Sequence, residues 1–325
     1  MELVVESGEG DSTGGRRPKI VMPVAGAKIA LGIDITQHHI CIAAVDLVGN
    51  ILKCERIRKD FYNEEMYYIE VADILNGFIE ENALSKDKVI GAGIAIPGII
   101  SADEQTILAS GVLEIREPMG NPFQTHISYD TNMYNEASAA AFIEWYGRQN
   151  GGNMVYVSLS NSVGGAVVID NAIIPGDGQK SAEFGHIITH KGGKKCYCGR
   201  TGCYDSYGTA LLLANLTDGN LGAFFEALEE ENGTGPLSDV FSQYVDDLAF
   251  LVANLRTSYD SDIVLGGYVG SYLENYLDRI RARVSHYLND GATDDFSYIK
   301  SCRYKVEASA LGVAMRHVEK FINQV

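Results

Sequence analysis

The segment Lys194–Tyr207, KKCYCGRTGCYDSY, places Cys196, Cys198 and Cys203 within eight positions. Thiols at that density point to a soft divalent metal, and zinc takes four tetrahedral ligands drawn from cysteine and histidine. The run supplies three of them. His186 lies ten residues before Cys196, which gives ligand intervals of 10, 2 and 5, and His190, six residues before Cys196, competes with it for the fourth position. Gly192, Gly193, Gly199 and Gly202 give the backbone the freedom that a tight knuckle requires. The alternative is three thiols in a loop beside an unrelated histidine, and exposed thiols so closely spaced would oxidise readily. A zinc whose four positions are all filled by protein is structural rather than catalytic.

The composition around this segment is that of an ordinary folded protein. The chain has 325 residues, 46% of them apolar and 21% charged, enough for one large or two medium domains. Its 43 acidic and 26 basic residues leave a net charge of −17, which on average repels a nucleic-acid backbone. No apolar run approaches the roughly 18 residues that span a bilayer. The acidic start, MELVVESGEGDSTGG, lacks the apolar stretch of a signal peptide. Six cysteines, three of them clustered, fit a reducing compartment with a metal site better than a disulfide framework. The expected location is the cytoplasm.

Residues 1–27 are rich in glycine, serine and charge and read as a linker or exposed edge. Strand signals follow in KIALGIDI, HICIAAVD and ILKCERI, with a turn at Gly49-Asn50. Val71, Ile74, Leu75, Phe78 and Ile79 recur at helical spacing, and KVIGAGIAI reads as a buried strand ending at Pro97-Gly98. HISYD reads as a further strand, and NEASAAAFIEWYG as a helix that Asn135 caps. MVYVSLSNSVGGAVVIDNAII then restarts the pattern as three strands. Shifted back by 124 positions, it sets Val157 on Ile33, Leu159 on Ile35 and Asp170 on Asp46. Helical segments run from about 207 to 256, DIVLGGYVG is a buried strand, and two more helices close the chain. This is an α/β pattern in two lobes, 28–134 and 135–325, with the terminal helix free to pack back on the first. Ligands of such proteins usually bind between the lobes.

These pieces, taken in order, resemble the ROK family (repressors, open reading frames and sugar kinases). The pattern His-x9-Cys-x-Cys-x4-Cys, preceded by Glu183 in AEFGH, carries the likeness most specifically. LGIDI, GIAIPGIIS, NEASAAA, VGGAVVIDNAIIPG and DIVLGGYV fall in the family's order, from about residue 14 to the C-terminus. The resemblance implies a two-lobed, actin-like ATPase/sugar kinase fold, a duplicated ribonuclease H-like α/β architecture with a zinc knuckle. It implies a structural Zn2+ held by His186, Cys196, Cys198 and Cys203. It also implies a sugar pocket lined by Gly98, Asn135, Glu136, Glu183, His186 and Asp205, a mixture of donors and acceptors suited to an uncharged polyol. With one nitrogen of His186 on the metal, the other would be aimed at a sugar hydroxyl. Each contact has a plainer alternative: Asn135 as a helix cap, Glu183 as a surface carboxylate, Asp205 as a structural group. His38 and His39, at a strand start, are taken as non-functional.

The chain departs from the family's kinases where phosphate chemistry would occur. Glu136 stands at the position of the aspartate general base, and a misplacement of about 1 Å can cost roughly a hundredfold in rate. Thr36-Gln37-His38-His39 replaces a glycine-rich first phosphate turn, and Ser160-Asn161-Ser162 replaces the second. Tyr268 follows Gly266-Gly267 on the adenosine side. Together these features argue against phosphoryl transfer.

The expected function is therefore the sugar-sensing, effector-binding and oligomerising region of a ROK-type transcriptional regulator, similar to the xylose and N-acetylglucosamine repressors, with no catalytic residue. The alternative is an ATP-dependent hexose or N-acetylhexosamine kinase that uses Glu136 as base. Residues 3–18, LVVESGEGDSTGGRRP, read as the end of a DNA-binding wing followed by a linker. Operator DNA would then be read only through an N-terminal winged helix–turn–helix outside this chain, with Arg16 and Arg17 either touching the DNA backbone or minor groove or serving as a solvated tether. A sugar or amino-sugar effector and a homodimer or higher homo-oligomer complete the expectation.

Overall fold

A computed structural model describes residues 3–9, 19–148, 151–288 and 296–325. The Arg16-Arg17-Pro18 tether lies outside the described residues. Two compact units are present, one formed by Met1–Ala139 with Ser309–Val325, the other by Ala140–Ala308.

In the first unit β1 (Val4–Glu9) and β2 (Lys19–Pro23) pair antiparallel as a two-stranded ribbon. The apolar run KIALGIDI then forms β3 (Ile29–Ile35), which opens an antiparallel meander with β4 (His39–Asp46) and β5 (Ile51–Arg58). Asp46 makes the β4–β5 turn by accepting from the Val48 and Asn50 backbone N–H groups, both at 2.9 Å. Helix α1 (Glu65–Glu81) and β6 (Val89–Ile96) follow. Next come the short strands β7 (Ile99–Ile100), β8 (Thr106–Ala109) and β9 (Met119–Gly120), then β10 (Thr131–Asn135) and α2 (Glu136–Tyr146). β6 pairs parallel with β3, and β10 parallel with β6. The strand is thus TNMYN rather than the preceding HISYD. Phe123 and Ile127, near the Pro122 turn, bury their side chains from an irregular segment, and pairing starts only where the Asp130 carbonyl accepts from Ala92.

The second unit repeats the plan. β11 (Met154–Leu159), β12 (Val163–Ile169) and β13 (Ala172–Ile173) form the meander. Helices α3 (Asp205–Gly208), α4 (Ala210–Ala214), α5 (Leu221–Glu230) and α6 (Pro236–Tyr259) follow. β14 (Asp262–Gly266) then pairs parallel with β11, and after α7 (Gly267–Gly270) and α8 (Leu277–Leu288), β15 (Ile299–Ser301) pairs parallel with β14. The two five-stranded sheets have the same order of third, second, first, fourth and fifth strand. A shift of 124 positions carries β3 onto 153–159 and β4 onto 163–170, so the faint sequence echo coincides with a structural duplication. Among the described residues no helix is long and apolar enough to cross a membrane.

The sheet of the first unit is covered on both faces. On one face of β3 and β4, Leu31, Ile33, Ile35, Ile40 and Ile42 pack with Val71, Leu75, Phe78 and Ile79 of α1, the helical stripe visible in the sequence. On the other face α9 (Ala308–Ile322) lies close to the strand backbone because Gly32, Gly91 and Gly93 carry no side chain. A Cβ on them would strike Ala310, the His317 ring and Val313 respectively. His317 is 4% exposed, and its Nε2 has no hydrogen-bond partner. Burial, helped by Lys320 and opposed by Asp130 and Glu104, lowers its pKa from 6.5 to about 4. The unfolded chain takes up this proton near pH 6.5 and the folded protein does so only near pH 4. Stability contributed by the neutral ring is therefore complete above pH 6.5 and is lost as the pH falls from there towards 4, by on the order of 3 kcal/mol. Urea unfolding at pH 4.5 and pH 7 measures it, and H317Q is expected to flatten this acid-side loss.

Candidate metal centre and polar wall

The metal-binding segment is anchored before it reaches the cysteines. Phe184 is 3% exposed and lies against Gly165 of β12, where a Cβ would overlap its ring. That contact fixes the short turn Phe184–His186 on the sheet. The chain returns along itself through an Ile188–Cys203 bridge, and Tyr204 N donates to the Ile187 carbonyl at 2.9 Å. Cys196 N donates to the Arg200 carbonyl at 2.8 Å, and Gly199 N to the Cys196 carbonyl at 3.0 Å, closing the loop over the thiols. Gly202, at φ +83°, is required here, because a Cβ would sit on the His190 carbonyl.

His186, Cys196, Cys198 and Cys203 converge, with all four ligand atoms within 4.8 Å of one another. Two sulfurs on a tetrahedral zinc with bonds of about 2.3 Å stand roughly 3.8 Å apart. Cys198 and Cys203 Sγ are 3.7 Å apart, and Cys196 Sγ lies 3.8 Å from His186 Nδ1. The donor set and its spacing therefore fit a tetrahedral thiolate–imidazole metal. Burial raises the Cys196 and Cys203 thiols. Burial acts in the same direction at Cys198, but the Arg200 guanidinium at 3.4 Å outweighs it and brings that thiol to about 7. Metal binding accordingly has to expel protons from the two inner cysteines.

His190 faces elsewhere. Its ring stacks on Tyr207 at 3.8 Å, Nδ1 meets Thr189 Oγ1 at 2.9 Å, and Nε2 lies 3.3 Å from the Asp247 carboxylate of α6. Both nitrogens are occupied away from the thiols. The competition that spacing left open is decided by packing partners distant in sequence.

With His186 Nδ1 turned to the thiols, Nε2 points outward, and the Tyr197 hydroxyl lies 3.4 Å from it. Glu183, one residue before the turn, is exposed along its side chain; desolvation at the carboxyl raises its pKa against Arg200 and Lys180. Asp205, at the start of α3, is 5% exposed and spends Oδ1 on the Val163 N–H at 2.7 Å, leaving Oδ2 for another partner. Glu183, His186 and Asp205 thus belong to one polar wall of the second unit. Tyr197 was missed in the sequence because its backbone position between two ligands does not say where the phenol turns.

Gly98, Asn135 and Glu136 lie in the first unit. Asn135 Oδ1 accepts from Ser138 N at 2.9 Å, capping α2, while Nδ2 donates to the Gly98 carbonyl at 2.9 Å. Gly98 is tightly packed, since a Cβ would come within 2.6 Å of the Ala109 carbonyl. Glu136 is held by burial at about 7. Its neighbour Asp34, 6% exposed, is raised by burial and by Glu136 against Arg56, and its Oδ1 has no partner. Asp34 was not singled out in the sequence, although a carboxylate inside the apolar run LGIDI was its signal.

The turns that would face phosphate are closed internally. Thr36 Oγ1 accepts from His39 N at 3.0 Å, and Thr36 N donates back to the His39 carbonyl at 2.9 Å. His38 is tied to Asp60 at 2.8 Å. In the second unit Ser160 Oγ lies 3.4 Å from Tyr268 N, and the Tyr156 hydroxyl accepts from Gly267 N at 3.2 Å. A Cβ at Gly266 would meet the Tyr156 ring, and one at Gly267 the Leu159 backbone and the Ser160 hydroxyl, so both glycines are packed closely against this protein's own atoms.

The ROK family profile matches residues 30–318. A xylose repressor of Bacillus spizizenii is 26% identical over 334 aligned positions, covering 99% of this chain and 85% of that protein. A ROK-family transcriptional regulator, a homologue of the E. coli MLC protein, superposes with a TM-score of 0.74 at 17% identity over 97% of this chain and 85% of its own. A ROK-family glucokinase from Streptomyces griseus, in complex with glucose and AMPPNP, gives a TM-score of 0.73 at 24% identity over 89% of this chain and 98% of its own.

Proposed function

Because the chain belongs to the ROK family, whose two-lobed, actin-like ATPase fold it has, we propose that it is the sugar-sensing, effector-binding region of a transcriptional regulator. The observation that carries this reading is that the phosphate-side turn of each unit is closed by its own hydrogen bonds and side chains, while the second unit keeps the polar wall of Glu183, His186 and Asp205. The likeness to a xylose repressor along nearly the whole chain supports it.

In this reading the effector is an uncharged sugar or amino sugar. The metal is a structural Zn2+ held by His186, Cys196, Cys198 and Cys203; when bound, it supplies rigidity and a fixed tautomer rather than reactivity. His186 then donates from Nε2 to a ligand hydroxyl, and Glu183 and the second oxygen of Asp205 accept. In the first unit the candidate contacts are Gly98, Asn135 and Glu136. The protein acts in the cytoplasm as a homodimer or larger homo-oligomer, and operator DNA is bound through a separate DNA-reading domain.

One observation favours an ATP-dependent hexose or N-acetylhexosamine kinase instead: the Glu136 carboxyl, held at about 7, is tuned to act as a base near neutral pH. A thermal-shift screen separates the two readings. The sensor is expected to gain about 2.7 kcal/mol from its sugar at a hundredfold excess over Kd, with no further gain from ATP and magnesium. Phosphorylation of any hexose at an ordinary kinase rate, about 1–100 per second, overturns the proposal.

A further inference from the structure

We propose that Tyr197 is a displaceable plug on the outward nitrogen of His186, occupying the place that a ligand hydroxyl takes when an effector binds. This rests on the sugar-sensing reading and adds to it a residue that tunes affinity. The argument starts from the imidazole. His186 Nδ1 faces Cys196 Sγ at 3.8 Å, so a metal held by this cluster takes Nδ1, and the neutral ring must then carry its proton on Nε2. The group that meets this N–H is the Tyr197 hydroxyl, at 3.4 Å, with the two rings edge to face at 5.4 Å and 63°. A phenol presents one hydroxyl on a rigid ring, chemically close to one hydroxyl of a sugar.

The surroundings allow the exchange. Tyr197 is flanked by the ligands Cys196 and Cys198, so its backbone is fixed, and the side chain moves only through its own torsions. The residue is 59% exposed, so swinging the ring outward breaks little packing. A ligand hydroxyl reaching Nε2 must displace the phenol from its place 3.4 Å away. Wild-type affinity is thus lowered by the hydrogen bond that has to be broken.

The test uses the metal-loaded full chain and Tyr197→Phe, which keeps the ring and removes the hydroxyl, with Tyr197→Gly as a second variant. Metal content is expected to stay at one equivalent in both. Titration calorimetry with D-xylose, D-glucose and N-acetyl-D-glucosamine is expected to show affinity rising roughly three- to tenfold for whichever sugar binds, the size of one net hydrogen bond. The His186 ring N–H, followed by proton NMR without sugar, is expected to exchange faster with water in Tyr197→Phe. Unchanged or weakened affinity at full metal content, or unchanged exchange, overturns the plug while leaving the sensor reading intact. Binding by the variants alone supports the plug. If none of the three proteins binds a sugar, the sensor reading falls and the plug with it.

Discussion

Replacing His186 with alanine is expected to strip the metal from the second unit and abolish effector binding in one step. The ring contributes one of four donors to a cluster whose atoms already stand at tetrahedral spacing, and the two inner thiols cannot make up for it. Cys196 and Cys203 are 2% and 0% exposed, and burial disfavours their thiolates, so three cysteines without the imidazole must carry net negative charge in a dry site. Loss of one donor should therefore weaken metal binding by more than the roughly 10- to 100-fold typical of an outer-shell change. Sugar affinity should vanish with it, because the donor aimed at the ligand is the same ring.

His190→Ala provides the contrast. It is expected to keep the metal and lose about 1–2 kcal/mol of stability, since that ring bridges Tyr207 and Asp247 and makes no contact with the thiols. Metal analysis by plasma emission, paired with calorimetry, reads both variants. A metal-free His186→Ala protein that retained sugar affinity would disprove the coupling between metal and ligand.

How much of this was legible in the sequence depends on how far apart the deciding residues lie. The four candidate ligands fall within 18 positions, so spacing alone brought them together, and strand 124-residue echoes such as Ile33 with Val157 marked the duplication. The two histidines were not separable that way, because either loop length reaches the thiols. The choice was made by Asp247, far along the chain on α6, and by a stacked Tyr207. Asp205 offered a similar ambiguity. Its place two residues after Cys203 could serve ligand or scaffold, and only the Val163 N–H, 42 positions away, shows that one oxygen is already committed.

Periodicity misplaced the strand before α2. HISYD alternates as well as TNMYN does, but parallel pairing with β6 begins at Thr131 opposite Ala92, and that register is a property of the partner strand. Asp34 illustrates the opposite case, in which the signal was present in LGIDI and its meaning depended on Glu136 being brought alongside. Side-chain direction at exposed positions was the least legible feature, which is why the phenol of Tyr197 could be found only in three dimensions.

Gly32→Val is expected to be the most destabilising single change in the first unit. A Cβ at residue 32 would fall on the Ala310 carbonyl, within 2.9 Å of its carbon and 3.0 Å of Ala314 N, so the obstacle is helix backbone rather than a movable side chain. Helix α9 can yield only by lifting off β3, which would uncover Val313 and Ala314, both fully buried, and open the seat of His317. Overpacking of this kind costs about 3 kcal/mol, or roughly 6–12 °C in melting temperature for a unit of this size. Gly77→Ala in α1 is the matched control, because a Cβ there meets nothing within 4 Å. It should raise stability by about 0.5–1 kcal/mol through helix propensity alone. Circular dichroism melts of the two variants beside the wild type give the result, and a Gly32→Val protein melting within a degree of wild type would mean that α9 does not depend on this close approach.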